Sequence, residues 1–152
     1  MRRPACQTSL ALLAWIALAV SVTGERRDQA VKASSGRTVW DGVYTEEQAT
    51  RGLAEYTRSC AACHAPDLRG NGTAPSLVEE SFSFLYGDTS VGDLLERIRT
   101  RMPSDRPGSL SGQSYRDIIA FVLQSNKLPS GAKELDADLE GLRQVLITMK
   151  RP

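Results

Sequence analysis

Cys60-Ala61-Ala62-Cys63-His64 places two thiols and an imidazole within one short stretch of the sequence. The chain contains three cysteines and one histidine, and the remaining cysteine, Cys6, lies close to the N-terminus. On a helical turn, residues three positions apart lie on the same side. The two thiols would therefore face one way, with the imidazole beside them, and this stretch is the natural place for a bound group.

The order Cys-x-x-Cys-His is the pattern at which a haem is attached through two cysteines, with the histidine as an iron ligand. Three other kinds of site use such a pair of cysteines. A thioredoxin-like redox pair lies near a βαβ pattern, which is not visible here; a structural zinc site needs four ligands; a disulfide would close a very short loop. The sequence favours one covalent haem c, with its iron, bound by Cys60, Cys63 and His64.

The second axial ligand of the iron must be another residue type, because the sequence contains one histidine. Met102 continues the apolar face of a predicted helix and precedes Pro103, which disfavours helix at the residue before it. A thioether presented at a helix end suits an iron ligand, and a methionine that fills a gap in the core is the alternative. Met149 lies in a charged tail and is the weaker candidate. We therefore predict His64 and Met102 as the metal ligands.

Two filled axial positions leave no open site on the iron. The expected chemistry is the transfer of one electron, without any bond change in a substrate. We accordingly expect an electron-transfer protein with no catalytic residue, and not an enzyme. The alternatives are a haem enzyme of the peroxidase type, which needs an open iron position, and an accessory haem subunit of a larger dehydrogenase.

Three amphipathic helices are predicted from apolar residues that recur with the period of an α-helix. The first begins after Thr45, with Gln48 completing a capping box; the second runs from about Ser90 to Arg101, and the third from Ser111 to about Ser125. Their apolar faces are Ala49, Leu53 and Tyr56; Val91, Leu94, Leu95 and Ile98; and Tyr115, Ile118, Ile119 and Val122. We expect the glycine- and proline-rich connection 65–89 to be a loop around a prosthetic group. No sustained strand pattern occurs, so the predicted fold class is all-α, with three main helices and long loops.

The N-terminal segment has the layout of an export signal. Arg2 and Arg3 precede an uncharged apolar run at 10–20, and small residues follow as far as Gly24. This run is shorter than the roughly 20 residues of a membrane-spanning helix, which favours a cleaved signal over a retained anchor. The predicted division is a signal peptide (1–24), a flexible linker (25–38), a main domain (39–130) and a C-terminal tail (131–152) that packs on the domain. The expected location is the periplasm.

With these motifs, the main domain resembles a class I cytochrome c of the small bacterial kind. The resemblance rests on the Cys60–His64 motif, the Met102-Pro103 step, and a glycine and an aromatic residue at Gly52 and Tyr56. In that family these two residues let the first helix cross the last helix closely. The resemblance implies that the partner residues here are Ile118 and Phe121.

The same family has a Pro-x-Leu step after the haem motif, and Pro75-Ser76-Leu77 matches it. The resemblance implies that Pro75 and Leu77 belong to the haem-binding residues. In particular, the Pro75 carbonyl would accept a hydrogen bond from the ring of His64, and such a bond orients a ligand.

Two further segments, Thr38–Gln48 and Val91–Arg99, resemble soluble cytochromes found beside bacterial quinoprotein dehydrogenases. This implies redox protein partners: a dehydrogenase as electron donor, and an oxidase or another cytochrome as acceptor. The 19 Lys and Arg residues are balanced by 18 Asp and Glu residues, so we expect no nucleic acid partner. We also expect a monomer, with no membrane span once the signal is removed.

Overall fold

The computed structural model describes residues 36–151. The predicted signal peptide (1–24) and most of the predicted linker (25–38) lie outside the described residues. Within residues 36–151 the chain forms six α-helices, one 3₁₀ turn and two very short strands. In chain order these are β1 (Arg37–Thr38), the 3₁₀ turn (Val39–Asp41), α1 (Glu46–Ser59), α2 (Ala61–His64), α3 (Glu79–Tyr86), α4 (Val91–Arg101), α5 (Gly112–Ser125), α6 (Leu139–Arg143) and β2 (Val145–Leu146).

The first predicted helix is confirmed as α1, but two of its details differ from the prediction. The Thr45 side chain accepts a hydrogen bond from the Gln48 backbone N–H at 3.1 Å, as an N-cap does. The Gln48 side chain, however, is buried and accepts a hydrogen bond from the Leu135 N–H at 2.8 Å, instead of completing a capping box. Leu53, which we expected on the buried face, is 46% exposed.

The second and third predicted helices are confirmed as α4 and α5. Ser90 caps α4 and forms a reciprocal capping box with Asp93, and Ser111 caps α5. Helix α4 ends where Met102 adopts an extended backbone with φ of −128° and ψ of 150°, as expected for a residue that precedes proline. Helix α5 is buried along most of its length, so it is the central element of the core.

Helices α1 and α5 cross in close contact at Gly52. A Cβ atom at this position would lie 1.8 Å from the carbonyl oxygen of Asp117 and 2.9 Å from Cβ of Phe121. Only glycine permits such an approach, because any side chain would displace the neighbouring backbone. The close crossing agrees with the expectation from the resemblance, and the aromatic pair Tyr56–Phe121 lies beside it with ring centroids 5.3 Å apart. The backbone in contact is that of Asp117, where we had expected Ile118.

The prediction that residues 65–89 form a loop is partly wrong, because the second half of this segment contains α3. Local capping signals for this helix are missing: Val78, at the N-cap position, makes no side-chain capping bond. Instead, the Asn126 side chain accepts a hydrogen bond from the Glu79 backbone N–H at 2.9 Å. The cap is thus supplied by a residue far along the chain, and the residues next to α3 give no indication of it.

The described part of the C-terminal tail belongs to the core. Four of its apolar side chains are buried: Leu135, Leu142, Val145 and Ile147. Strand β2 pairs in parallel with β1, in the register Arg37 with Val145 and Thr38 with Leu146. The expectation of no strands is therefore wrong for these short segments, and the last two residues of the predicted linker are paired. None of the helices between residues 36 and 151 has the length and apolar character needed to cross a membrane.

Candidate functional site

The Cys60–His64 stretch forms a single compact turn at the end of α1. Cys60 is both the C-cap of α1 and the N-cap of α2. Its carbonyl accepts hydrogen bonds from the N–H groups of Cys63 at 3.1 Å and His64 at 2.9 Å. The two thiols are free, with Cys60 half-buried and Cys63 exposed. The helical turn predicted from the spacing is therefore present, and it presents two thiols and an imidazole together.

The ring of His64 is held in one orientation. His64 is buried, and its Nδ1 atom lies 2.9 Å from the carbonyl oxygen of Pro75. Because a carbonyl oxygen only accepts, the proton of this bond belongs to Nδ1. The lone pair of the neutral ring is then on Nε2, which is the state that a metal ligand requires. The contact between Pro75 and His64 matches the one implied by the resemblance, while the role of either residue toward a haem stays a prediction.

Leu77 lies in the segment that carries Pro75, and that segment is fixed at several points. The Leu77 N–H donates to the carbonyl of Leu68 at 2.8 Å, and the Leu77 carbonyl accepts a hydrogen bond from Nδ2 of Asn126 at 2.9 Å. The side chain is partly buried and packs against the core. Sequence reasoning did not single out Asn126, although its side chain holds both this segment and the start of α3.

The backbone that follows His64 is held by Tyr56 of α1. The Tyr56 hydroxyl donates to the carbonyl of Ala65 at 2.7 Å. Ala65 itself has a positive φ of 64°, a conformation that non-glycine residues rarely adopt. Tyr56, which also lies at the crossing of α1 and α5, thus fixes the backbone directly after His64.

Met102 lies at the end of α4 and is partly buried. Its N–H donates to the carbonyl of Ile98 at 2.8 Å, and its carbonyl accepts a hydrogen bond from the Tyr115 hydroxyl at 2.8 Å. The sequence assigned Tyr115 only to the buried face of α5. The hydrogen-bond partner of its hydroxyl could not be identified from the residues beside it. Met149, the weaker candidate, is partly buried and packs against the core.

The electrostatics of Cys60 argue against a thiol redox centre. Burial raises the pKa of the Cys60 thiol to about 11, with further contributions from Glu55 and Cys63. Redox-active Cys-x-x-Cys pairs instead have a cysteine whose pKa is lowered, because the thiolate is the reactive form. Cys60 therefore lacks the lowered pKa that the reactive cysteine of a thioredoxin-like pair has.

Among the described residues, a structural zinc site would also lack ligands. Across residues 36–151, no group of three or more His, Cys, Asp or Glu side chains is placed to hold a metal ion. Structural zinc sites need four such ligands at one point. The zinc alternative therefore finds no support in the described part of the chain.

The donors present do fit a haem. The turn offers two free thiols for two thioether bonds and one imidazole whose Nδ1 is already engaged by a carbonyl. A thioether is available at Met102, from a separate element of the chain. These four groups are the set that a covalently attached haem with histidine and methionine ligands would use.

Comparison with protein families gives a match to a family model described as "Cytochrome C oxidase, cbb3-type, subunit III", over residues 47–122. That range is half of the 152-residue chain and contains all four of the donors just described. Comparisons with curated proteins and with solved structures gave no significant match.

Proposed function

The chain belongs to this family of class I c-type cytochromes, and on that premise we propose that it is an exported carrier of single electrons. Membership brings the cytochrome c fold, haem c with its iron, electron transfer, and redox proteins as partners. Our proposal adds one covalent haem, its axial ligands, a periplasmic location and the kind of partner.

The observation that carries the proposal is the contact between Nδ1 of His64 and the Pro75 carbonyl, at 2.9 Å. It orients the imidazole within the turn that also bears Cys60 and Cys63. Each thiol would add across one vinyl group of the porphyrin, forming a carbon–sulfur bond while the thiol proton goes to the other vinyl carbon. This addition needs no oxidant or reductant, and it makes the attachment permanent.

We propose Met102 as the second axial ligand. Its extended backbone at the end of α4 and its partial exposure support this role, because the side chain is not committed to the interior of the core. A bound haem c supplies an iron that alternates between the ferrous and ferric states. His64 and Met102 together would occupy both axial positions and raise the potential, which favours a carrier over an enzyme that binds a substrate at iron.

The partners we propose are a dehydrogenase as donor and an oxidase or another cytochrome as acceptor, in the periplasm, with the chain itself a monomer. This part is supported by the resemblance of Thr38–Gln48 and Val91–Arg99 to cytochromes found beside quinoprotein dehydrogenases. Isolation of the native protein tests it, and stable co-purification with a dehydrogenase would favour the accessory-subunit alternative.

The covalent attachment is tested by producing the full chain together with a cytochrome maturation system. We expect the exported protein to keep its haem after denaturation, as seen by haem staining, and to show a reduced-minus-oxidised spectrum of a c-type cytochrome. The double variant Cys60→Ala/Cys63→Ala should lose the covalent haem, because no thiol is left to bond the vinyl groups.

The matched control is Cys6→Ala, which removes the one cysteine outside the motif and should retain full haem staining. Colourless wild-type protein, or haem that dissociates on denaturation, would overturn the proposed attachment.

A further inference from the structure

We infer that Tyr115 is a positioning residue for Met102, and that its hydroxyl holds together the loop that presents the thioether. The Tyr115 hydroxyl donates to the Met102 carbonyl at 2.8 Å. The inference rests on the proposed function, because it assigns the tyrosine a role only if Met102 is an axial ligand.

The same hydroxyl engages both ends of the loop between α4 and α5. Besides donating to Met102, it accepts a hydrogen bond from the Leu110 backbone N–H at 3.4 Å. Residues 103–109 lie between these two points, and most of them are exposed. One oxygen atom therefore joins Met102 and Leu110 across a surface loop, and its removal would leave the Met102 carbonyl and the Leu110 N–H without this partner.

The hydroxyl is held on a rigid base. Tyr115 is 2% exposed and lies in the first turns of α5, where its N–H donates to the carbonyl of Ser111 at 3.1 Å. Helix α5 is buried along most of its length. A donor fixed in the core can restrain a loop, whereas a mobile side chain would move with it.

The backbone of the loop has few other hydrogen bonds. Within it, the Arg106 N–H donates to the Pro103 carbonyl at 2.9 Å, and the Ser109 N–H donates to the Arg106 carbonyl at 3.2 Å. Both bonds connect the loop to itself and not to the core. The hydrogen bonds that link Met102 to the rest of the protein are thus those with the Tyr115 hydroxyl and with the Ile98 carbonyl. Pro103 is buried and adds packing at the start of the loop.

Removal of the hydroxyl should make it easier for the loop to open locally and for the thioether to leave the iron. A hydrogen bond of this type is worth about 1 kcal/mol net, which corresponds to about a fivefold change in an equilibrium. An external ligand such as imidazole competes with the thioether, so its apparent affinity for the ferric protein should rise by about that factor.

The test compares the purified ferric holoproteins of wild type, Tyr115→Phe and Tyr44→Phe. Tyr44 is the matched control, because it is 1% exposed and its hydroxyl also donates to a backbone carbonyl, that of Leu128, at 2.6 Å. Imidazole affinity, the sulfur-to-iron absorption band and the reduction potential are measured, together with global unfolding by denaturant.

We expect Tyr115→Phe to bind imidazole about fivefold more tightly than wild type, to lose its sulfur-to-iron band further ahead of its own global unfolding than the wild type does, and to have a lower potential. Tyr44→Phe should match the wild type in imidazole affinity, in potential and in the interval between loss of the band and global unfolding, even if its global stability falls by a similar amount. A purely structural role for Tyr115 would make the two variants alike.

Two different failures are distinguishable. If the wild type shows a sulfur-to-iron band that Met102→Ala removes, but Tyr115→Phe behaves as Tyr44→Phe does, the inference is wrong and the proposed ligation stands. If the wild type shows no such band, the proposed ligation by Met102 is wrong, and the positioning role falls with it.

Discussion

At the scale of single residues, the site depends on a few backbone carbonyls that hold side chains or segments in place. Pro75 offers its carbonyl to the ring of His64, and Tyr56 and Tyr115 donate to the carbonyls of Ala65 and Met102. The two tyrosines belong to the helices that cross, α1 and α5. The segments that bear the two proposed axial ligands are thereby connected to the same rigid pair of helices.

The ligand role of Met102 is the prediction that belongs to this scale. Met102→Ala should abolish the sulfur-to-iron absorption band, open an axial position to imidazole or cyanide, and lower the reduction potential. The drop should be a sizeable part of the roughly 0.8 V range that axial ligands span. The measurements are visible spectroscopy of the ferric protein and a redox titration.

Met149→Ala is the control for this experiment, since Met149 packs against the core without a place in the proposed site. It should keep the band and the potential. If instead Met149→Ala removes the band while Met102→Ala keeps it, the assignment of the two methionines has to be exchanged.

At the scale of elements, the crossing of α1 and α5 determines the geometry of the site, because both helices carry residues that hold it. The approach is close enough that Gly52 lies against the backbone of Asp117. Beside it, the Arg51 guanidinium pairs with the buried Asp117 carboxylate through Nε at 3.0 Å. The crossing thus combines a steric requirement with a specific polar contact.

Gly52→Ala should therefore lower the free energy of unfolding by about 2 kcal/mol, the cost of forcing atoms into a well-packed contact. The new Cβ would lie 1.8 Å from the Asp117 carbonyl oxygen, so the helices must move apart. Denaturant unfolding of the ferric holoprotein measures the change.

Gly112→Ala provides the comparison at this scale. Gly112 begins α5, and a Cβ there would meet only the flexible Arg116 side chain at 3.4 Å. This variant should be neutral or slightly stabilising, because alanine is the better helix former. Equal losses of stability for both variants would contradict the importance of the crossing.

At the scale of the whole molecule, residues near the two ends of the described chain meet. Strands β1 and β2 pair, and the Trp40 ring N–H donates to the carbonyl of Thr148 at 2.9 Å. The Ile147 N–H donates to the carbonyl of Thr89, and its carbonyl accepts from the Asp88 N–H. The tail is therefore built into the structure beside the turn between α3 and α4.

Ile147→Ala should destabilise the protein by about 3 kcal/mol, as truncations of buried isoleucine do. Ile147 is fully buried, whereas its neighbour Leu146 is 46% exposed. Leu146→Ala should change the free energy of unfolding by no more than about 0.5 kcal/mol. Thermal or denaturant unfolding checks both values, and a small effect at Ile147 would show that the tail is dispensable for stability.

The sequence by itself determined the features that depend on neighbouring residues. The turn at Cys60–His64, the start of α1 at Thr45, and the bounds of α4 and α5 could all be predicted. Each of these follows from side-chain spacing along a helix or from a capping residue within three or four positions, and such interactions form wherever the local sequence occurs.

Only the tertiary structure decided the features that depend on distant residues. The cap of α3 comes from Asn126, 47 positions from Glu79, and the Gln48 side chain turns inward to Leu135, 87 positions away. The bond from Tyr115 to Met102 likewise joins two elements. A polar side chain that becomes buried takes whichever partner the folded chain brings within reach, and that partner cannot be identified from the residues beside it.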